Sequence, residues 1–505
     1  MRCLFSSRLA ALLCLALLTA CAGHPPPAVP ASDASPPDRT VRVTLLQLND
    51  VYEITPSAAN EGGLARVAGL LAELKASRPN VLAVLAGDFL SPSALSTAKV
   101  DGARLDGKQM VEVLNALPLD WATFGNHEFD LKEDAFRARL AESKFRWISG
   151  NVLDARTGKP YGGTETTFIQ TFTNGRGDSF RLGWVGTTIR DNDPDYVDLL
   201  EPDDSLARDV ASLDDQTDGI VALTHVDKEM DFRYAAEIPA IDLILGGHEH
   251  ENWRVFRGAD LTPVVKADAN VRTVYVHELV WNAATAKLTI ESTLVPINAT
   301  TPEDPAVAAL AQAWVDRAFA AFRASGFEPG DVVARTSIAL DGRETVVRNR
   351  ESALSSLIVN AMHATAPSVD LAILNTGSIR IDDVLPPGPI TQYDVIRVLP
   401  FGGDVVEVEM RGSTLERTLD QGVANVGTGG FLVATETGRA DGWYVRGEKL
   451  DPAKTYRLVL TDYLLTGKER AMPFLLPTSN PEIKEVARHG DIRQAVITAL
   501  RTKPP

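Results

Sequence analysis

The sequence predicts an α/β (α+β) protein with two folded domains, and three observations support this fold class. With 505 residues and a hydrophobic fraction of 45%, the chain is long enough for more than one core. Five short apolar runs are bounded by Gly, Asn or Asp, as buried strands are. An Ala-rich run, residues 303–324, begins with acidic residues and ends before a Gly- and Pro-containing breaker. This pattern predicts a long helix between the two domains.

The first 20 residues are predicted to be a lipoprotein signal peptide. Arg2 and Arg8 precede an apolar stretch, residues 9–18, which is too short to span a bilayer as a stable helix. A pair of small residues then stands directly before Cys21, the predicted lipidation site. An ordinary secretory signal that ends next to a chance cysteine is the alternative.

All three cysteines lie in the first 21 residues, so the mature chain is expected to keep only Cys21 and to form no disulfide. Residues 21–40 are rich in Pro, Ala and Ser, which predicts a semi-extended tether. The net charge of −17 argues against binding to nucleic acid polymers or to an anionic membrane surface. We therefore expect an exported monomer, anchored to a membrane by its lipid alone and facing the periplasm or the cell surface.

Each of the five apolar runs ends on polar residues of metal-binding types. The carboxyl ends of strands collect ligands in layered α/β folds, and four of the eight histidines occupy these positions. Such a concentration of Asp, Asn and His is typical of a two-metal hydrolytic centre, where the ions hold a phosphate and generate a hydroxide. For any single residue, the alternative is a polar group that bonds only the backbone. The residues are Asp50, Asp88, Asn126 with His127, His225, and His248 with His250.

The order and the residues of these motifs resemble those of the calcineurin-like metallophosphoesterases. The similarity is to their bacterial 5′-nucleotidase branch, which includes 2′,3′-cyclic phosphodiesterases and nucleotide-sugar hydrolases. It rests on GD at 87–88, GNHEFD at 125–130 and GGHEH at 246–250, and it covers about residues 41–490. The resemblance implies a four-layer β-sandwich flanked by helices, followed by a smaller α/β substrate-binding domain.

The same resemblance implies a domain organisation. The metallophosphoesterase domain would comprise residues 41–300, a connecting helix and linker residues 301–330, and the C-terminal 5′-nucleotidase domain residues 331–495. The two domains would rotate about the connecting helix, so that a substrate gripped by the second reaches the metals of the first.

By resemblance, Asp88 would bridge two divalent ions, whose identity is open among Zn, Mn, Co, Mg and Fe. The remaining ligands would divide between the ions, with Asp50 and His250 at the first and Asn126, His225 and His248 at the second.

His127 pairs with Asp130 in the family motif. The imidazole would stabilise charge on the phosphoryl oxygens or the leaving group, and the carboxylate would fix its tautomer. A surface His-Asp pair at a helix start is the alternative.

Tyr52 departs from the family pattern, in which Asp-x-His usually places a histidine on the first metal. A phenol has a reference pKa of about 10 and binds a divalent ion poorly unless the metal lowers that pKa. Three interpretations are open. Tyr52 ligates as a phenolate and favours ferric iron, leaves a gap that water fills, or turns away and packs.

Several stretches after residue 330 resemble the nucleotide-binding domain of 5′-nucleotidases. The segment 375–380, NTGSIR, is similar to the family's Asn-Gly-Gly-Gly-Ile-Arg loop. The resemblance implies guanidinium contacts to phosphate or ribose, two rings that sandwich a base, and a carboxylate for the ribose hydroxyls. Core or solvated roles are the alternative for each residue. The predicted substrate-binding residues are Arg348, Asn375, Arg380, Phe401, Tyr463 and Glu469.

Glu469 lies where the family carries a Gly-Gly-Asp-Gly loop, which here is Gly467-Lys468-Glu469-Arg470. The lost glycines would remove backbone positions with positive φ, so the substrate is expected to differ from a plain nucleoside monophosphate.

The resemblance as a whole implies a metal-dependent phosphoester hydrolase that acts on extracytoplasmic nucleotides and releases phosphate and nucleoside. One alternative keeps the enzyme and changes the ester to a cyclic nucleotide, a nucleotide sugar or a non-nucleotide. Another is a non-catalytic nucleotide-binding lipoprotein whose metal site has degraded at Tyr52.

Overall fold

The computed structural model describes residues 39–502. The predicted signal peptide, the lipidation site Cys21 and nearly all of the predicted tether lie outside the described residues. Within residues 39–502, no helix combines the length and the apolar composition needed to cross a bilayer.

Two six-stranded sheets form the centre of residues 39–297. In both, the inner strands run parallel and antiparallel strands occupy at least one edge. The first sheet contains, in spatial order, Lys287–Pro296, Thr273–Asn282, Thr40–Leu48, Val81–Ala86, Trp121–Thr123 and Arg146–Trp147. The second contains Trp253–Arg257, Thr262–Lys266, Leu243–Gly246, Gly219–His225, Ser179–Thr188 and Thr167–Thr173.

The two sheets pack face to face, and helices cover their outer faces. Leu45 and Trp184 belong to the core between the sheets, whereas the next residue, Leu46, belongs to the core beneath the outer helices. Side chains alternate between the two faces of a strand, so one strand supplies both cores. A third core, which includes Leu206 and Tyr234, covers the other sheet. The predicted α/β class and its four layers are confirmed.

Eleven helices of the α type occur in the described residues. They are Leu64–Ser77, Lys108–Ala116, Glu133–Glu142, Pro202–Leu213, Lys228–Glu237, Pro305–Ala324, Glu344–Val347, Ala353–Thr365, Gln392–Val398, Gly412–Ala424 and Ile492–Thr502.

The helix Pro305–Ala324 connects the two sheet-containing regions. It starts two residues after the predicted start because Asp304 caps it, accepting hydrogen bonds from the backbone N–H groups of Ala306 and Val307 at 2.9 Å. Its buried Trp314 packs in one hydrophobic core with side chains from both regions. The two regions are therefore joined by shared apolar packing as well as by the chain.

The C-terminal region, residues 332–502, is built on a five-stranded mixed sheet. Its strands are, in spatial order, Leu432–Ala434, Leu371–Asn375, Thr455–Thr461, Asp404–Arg411 and Ile483–Asp491. Short two-stranded ladders join Val332–Thr336 to Gly388–Thr391 and Leu340–Asp341 to Val384–Leu385. The helix Ala353–Thr365 precedes this sheet's strand Leu371–Asn375, and after Phe401 the strand Asp404–Arg411 leads directly into the helix Gly412–Ala424.

Candidate active site

The apolar runs singled out in the sequence are strands, and their carboxyl ends meet at one edge of the sandwich. Asp50 and Asp88 follow neighbouring parallel strands of the first sheet, and His225 ends a central strand of the second. His248 and His250 follow the strand Leu243–Gly246, which pairs with the strand of His225. The topology therefore brings residues that are far apart in sequence to one place.

Four of the predicted ligands have unusual backbone conformations. The φ angles are 52° for Asp50, 56° for Asp88, 92° for His248 and 60° for His250. Non-glycine residues adopt positive φ rarely, at a cost of order 1–3 kcal/mol each, and such residues cluster at functional sites. The turns after these strands thus place the ligand side chains at the cost of an unfavourable backbone conformation.

Asp50, Asp88 and His225 form a buried cluster whose ligand atoms all lie within 4.8 Å of one another. Nε2 of His225 is 3.3 Å from Oδ2 of Asp88 and 3.2 Å from Oδ1 of Asn126. Nε2 of His250 is 3.5 Å from Oδ1 of Asp50. The side chains of five of the six predicted ligands are therefore linked, while His248 contacts Asp50 only through its backbone N–H, at 3.0 Å.

His248 stands at the rim of this cluster. Its ring lies 5.4 Å from that of His225, centroid to centroid, but Nε2 pairs with Asp227 at 3.3 Å. The side chain is 24% exposed, unlike the fully buried His225. His248 would have to leave Asp227 before its Nε2 could join the cluster.

The hydroxyl of Tyr52 points into the cluster. It lies 3.0 Å from Oδ2 of Asp88 and 2.8 Å from Nε2 of His250. Burial, with the carboxylates of Asp88 and Asp50, raises the pKa of this phenol well above its usual value. The interpretation in which Tyr52 turns away from the site does not describe this structure, while the other two remain open.

The charges of the cluster fit a cation. Asp50 and Asp88 are buried, and within residues 39–502 their salt-bridge partners are histidines rather than lysine or arginine. Buried carboxylates are normally paired or bound to metal. Burial would lower the pKa of His225, but Asp88 and Asp50 raise it to about 10. The carboxylates of Asp88 and Asp50 thus create an acidic site, which suits a cation.

Two glycines make room for the cluster. A Cβ at Gly125 would lie 2.0 Å from Oδ1 of Asp88, and one at Gly247 would lie 2.8 Å from Nδ1 of His225. No side chain fits at either position, so the space around the ligand atoms is kept open. Charge and shape both suit a metal ion here.

Two buried charged residues hold the ligand-bearing turns together. The carboxylate of Glu128 accepts hydrogen bonds from the backbone N–H groups of Asp88, Phe89, Leu90 and Gly125, at 2.6–3.1 Å. The sequence offered a signal for Glu128, which lies inside GNHEFD.

Lys266 holds the ligand-bearing turns of the second sheet together in the same way. Its Nζ donates to the carbonyls of Val226 and Gly247, both at 2.7 Å, next to His225 and His248. Asp231 and Glu249 balance its charge. A single lysine at the end of a strand gave no sequence signal for this role.

His127 and Asp130 form the predicted pair, with Nδ1 of His127 2.9 Å from Oδ2 of Asp130. Ser91 and Asn192 also donate to the Asp130 carboxylate, at 2.9 and 2.7 Å. Burial raises the pKa of Asp130, but His127 and Arg380 hold it below its usual value. The carboxylate therefore stays charged and keeps the imidazole oriented.

Arg380 reaches His127 from the C-terminal region. Its Nη2 lies 2.6 Å from Nε2 of His127, and because arginine can only donate, Nε2 accepts and Nδ1–H donates to Asp130. The Arg380 side chain is only 8% exposed. The predicted phosphate-binding arginine thus lies beside the predicted catalytic histidine.

Glu344 pairs with both predicted substrate arginines. Its carboxylate contacts Arg348 and lies 3.6 Å from Nη1 of Arg380. Burial raises the pKa of Glu344, yet Arg348, His250 and Arg380 lower it to about 2. Sequence reasoning missed this residue, since only the packing of the two regions brings it to the site.

Asn375 and Glu469 lie together and are both buried. Nδ2 of Asn375 donates to Oε2 of Glu469 at 3.2 Å, while Oδ1 of Asn375 accepts from Ser378 and Thr461. Gly467 keeps a positive φ of 70°, so the altered loop retains one of its glycine conformations. Burial is the main cause that raises the pKa of Glu469.

Phe401 and Tyr463 are the exposed members of the predicted substrate set, at 48% and 44%. Among residues 39–502, no aromatic ring stacks on either. Both rings are about half exposed, in contrast to the buried Asn375 and Glu469.

Comparison with known proteins identifies the family. The calcineurin-like phosphoesterase family model matches residues 43–252, and the 5′-nucleotidase C-terminal domain model matches residues 332–475. The chain therefore contains a calcineurin-like phosphoesterase domain followed by a 5′-nucleotidase C-terminal domain. The predicted family and the predicted enzyme class, a phosphoester hydrolase, are thereby confirmed, and the fold implies divalent metal ions.

Individual members of this phosphoesterase family resemble the chain over most of its length. It is 24% identical to the 5′-nucleotidase of Homo sapiens, over 84% of this chain and 83% of that protein. It is also 24% identical to the 5′-nucleotidase of Vibrio cholerae serotype O1, over 85% and 86%. A crystal structure of a 5′-nucleotidase precursor from Thermus thermophilus shares the fold, with a TM-score of 0.76, 22% identity and coverage of 92% and 96%.

Proposed function

We propose that this phosphoesterase uses two divalent ions to hydrolyse the phosphoester of extracytoplasmic nucleotides, releasing phosphate and nucleoside. One observation carries the proposal. The cluster of Asp50, Asp88 and His225 lies beside a His127–Asp130 pair whose imidazole is held by Arg380. Phosphoester hydrolysis requires a cluster of metal ligands, an acid–base group and a phosphate-binding cation in one place.

The division of the ligands between two ions follows the family resemblance, and side-chain contacts support it for every ligand except His248. Oδ2 of Asp88 contacts both the hydroxyl of Tyr52 and Nε2 of His225, which suits a bridging carboxylate. When bound, the metals would supply a hydroxide nucleophile and neutralise charge on the phosphate. The assigned ligands are Asp50, Asp88 and His250 for the first ion, and Asp88, Asn126, His225 and His248 for the second.

His127 handles the proton of the leaving group. A phosphate that engages the guanidinium of Arg380 frees Nε2 of His127, which then takes up a proton. The carboxylate of Asp130, 2.9 Å from Nδ1, keeps the ring oriented during this step. Nε2–H donates its proton to the departing ester oxygen, and the imidazole returns to the neutral tautomer.

The C-terminal region selects the substrate in this proposal. The exposed rings of Phe401 and Tyr463 stack on a base, and Glu469 accepts hydrogen bonds from the ribose hydroxyls. The match of residues 332–475 to the 5′-nucleotidase C-terminal domain and the names of the relatives support a nucleotide. Residues 41–300 and 331–495 act as two domains that rotate about the helix Pro305–Ala324.

A metal-dependence assay tests the proposal. Dialysed protein is assayed with and without Mn²⁺, Zn²⁺ or Co²⁺ against a nucleoside monophosphate, a 2′,3′-cyclic nucleotide, a nucleotide sugar and p-nitrophenyl phosphate. We expect metal-dependent hydrolysis with the highest kcat/KM on a nucleotide. Nucleotide binding without hydrolysis under any metal would favour the non-catalytic lipoprotein, and preference for a substrate without a base would move the ester outside the nucleotides.

Tyr52 decides the first metal. If its phenolate ligates ferric iron, the purified protein should show a visible charge-transfer band that Tyr52→Phe removes. If it leaves a gap, Tyr52→His should tighten divalent metal binding and raise activity. Its hydroxyl lies 3.0 Å from Oδ2 of Asp88, a position from which it could ligate.

Cys21 anchors the monomeric enzyme in this proposal and keeps it at the periplasmic or cell-surface side of a membrane. The lipid-bearing cysteine should be the first residue of the mature chain, and native protein should partition into detergent with membranes. Cys21→Ser should leave precursor or a soluble form. A freely soluble wild-type protein that begins at another residue would refute the lipid anchor.

A further inference from the structure

A carboxylate of the C-terminal region contacts a predicted metal ligand of the N-terminal region. Oδ2 of Asp382 lies 2.8 Å from Nδ1 of His250, and each side chain is only 9% exposed. The two residues are 132 positions apart in sequence, and no motif joins them. The contact exists because residues 332–502 pack against the metal end of the sandwich.

Asp382 is fixed from both sides. Its second carboxylate oxygen, Oδ1, accepts a hydrogen bond from the backbone N–H of Glu344 at 2.8 Å. Arg272 donates to the backbone carbonyls of Asp382, at 3.2 Å, and of His250, at 3.3 Å. The aspartate and the histidine are therefore held in register across the boundary between the two regions.

This contact determines which ring nitrogen of His250 is available to a metal. A neutral imidazole has one N–H, and the carboxylate of Asp382 accepts it at Nδ1. The lone pair then lies on Nε2, which faces Oδ1 of Asp50 at 3.5 Å and the hydroxyl of Tyr52 at 2.8 Å. Nε2 is thus presented toward the first metal position.

His225, at the second metal position, is oriented differently. Its Nδ1 lies 2.8 Å from the backbone carbonyl of Ala86, which belongs to the same sheet edge in the N-terminal region. The partner that orients His225 is therefore present whether or not the C-terminal region is in place. Of these two histidines, His250 is the one that depends on a partner from the other region.

We propose that Asp382 is a positioning residue, which makes affinity at the first metal position depend on the packing of the C-terminal region against His250. The inference rests on the proposed function, because it takes His250 as a ligand. Outer-shell carboxylates orient metal-bound histidines, and their loss typically costs about 10- to 100-fold in metal affinity. The second position, with His225 and Asn126, keeps its affinity without Asp382.

A chelator-competition titration of the full chain with Mn²⁺ or Zn²⁺, without substrate, tests this. Asp382→Asn should weaken one of two metal equivalents by about 10- to 100-fold and leave the other unchanged. Asp382→Ala, which removes the acceptor, should weaken it at least as much. Asp383→Asn is the matched control, since the Asp383 side chain caps its neighbour Val384 and should change neither equivalent.

The outcomes separate the inference from the proposed function. Unchanged affinity in both Asp382 variants, or equal weakening of both equivalents, would overturn the positioning role. Thermal unfolding of the metal-free proteins identifies a variant that has lost its fold. Wild-type protein that binds two equivalents and hydrolyses no phosphoester would refute the function while leaving the titration result intact.

Discussion

The two regions that meet at the active site hold their functional side chains in different ways. In residues 39–297 the groups are bonded within the region, as Glu128 is to four backbone N–H groups and His225 is to the carbonyl of Ala86. In residues 332–502 Arg380 and Asp382 pair across the boundary, with His127 and His250, while the rings of Phe401 and Tyr463 are about half exposed. The first region thus orients most of its site residues by its own contacts, whereas Arg380 of the second region reaches His127 only across the boundary.

This difference predicts that changes in the first region alter the reaction of every substrate. Changes in the second region should instead separate one substrate from another. The following experiments contradict or sharpen that distinction, beginning with the largest expected effect.

Asp88→Ala should reduce hydrolysis of a nucleoside monophosphate and of p-nitrophenyl phosphate alike to the assay background. The bridging carboxylate lies in the cluster that serves any phosphoester, so bound metal should fall as well. Initial rates and metal analysis of the purified protein measure both effects. Asp215→Ala, which removes an exposed carboxylate, is the control. Full activity of Asp88→Ala on either substrate would disprove the assignment.

His127→Ala should lower turnover by about 10²- to 10⁴-fold on both substrates while metal content stays near that of the wild type. The imidazole contacts Asp130 and Arg380, and only its backbone N–H bonds Asp88. Steady-state kinetics combined with metal analysis distinguishes this result from that of Asp88→Ala. His489→Ala, remote on the C-terminal sheet, should be neutral. A loss confined to the nucleotide would move His127 into substrate recognition.

Much of the first region could be predicted from the sequence because its functional residues follow strands. An apolar run identifies a buried strand, and the parallel topology brings the polar residue after it to the same edge, as with Asp50, Asp88 and His225. The orientation of His248 toward Asp227 could not be predicted, since it depends on side-chain packing beyond the strand.

The side-chain contacts at the boundary between the two regions could not be predicted from the sequence. Glu344 and Asp382 resemble any solvated carboxylates in the sequence, and only the docked surfaces bring both of them to Nδ1 of His250. Lys266 was missed for a related reason. The carbonyls to which it donates are backbone groups, which no residue pattern marks.

Phe401→Ala and Tyr463→Ala should weaken nucleotide hydrolysis by roughly 5- to 150-fold, mostly through KM, because stacking on an aromatic ring contributes about 1–3 kcal/mol per base. Hydrolysis of p-nitrophenyl phosphate should stay close to wild type. Phe256→Ala removes a ring of similar exposure, 47%, from the N-terminal region and is the control. Equal losses on both substrates would mean that the rings support folding rather than a base.

The smallest effect concerns stability and tests whether the first region is self-contained. His277 is buried between Ser292 and Gln47, and burial lowers its pKa to about 3. In the unfolded chain the pKa of this imidazole is about 6.5. As pH falls from 6.5 toward 3, the unfolded state therefore binds a proton that the folded state does not, and the free energy of unfolding decreases. Between pH 6.5 and 5 we expect a loss of about 2 kcal/mol.

Urea unfolding of wild type and His277→Gln at pH 6.5 and 5 measures this loss. Glutamine keeps a hydrogen-bonding side chain without the titration, so the pH-dependent difference between the two proteins isolates His277. An equal loss of unfolding free energy in both proteins between pH 6.5 and 5 would show that His277 is not the source of the acid sensitivity.

The four hydrogen bonds to Glu128 also limit where the enzyme tolerates an insertion. Because one carboxylate spans both the turn at 88–90 and the turn at 125, adding a residue to either turn would pull at least one N–H out of reach. The hairpin between Trp253–Arg257 and Thr262–Lys266, whose Leu261 is 64% exposed, lies outside this set of bonds. An engineer who wishes to graft a tag or a reporter loop onto this scaffold should therefore use the hairpin and leave both turns at their native length.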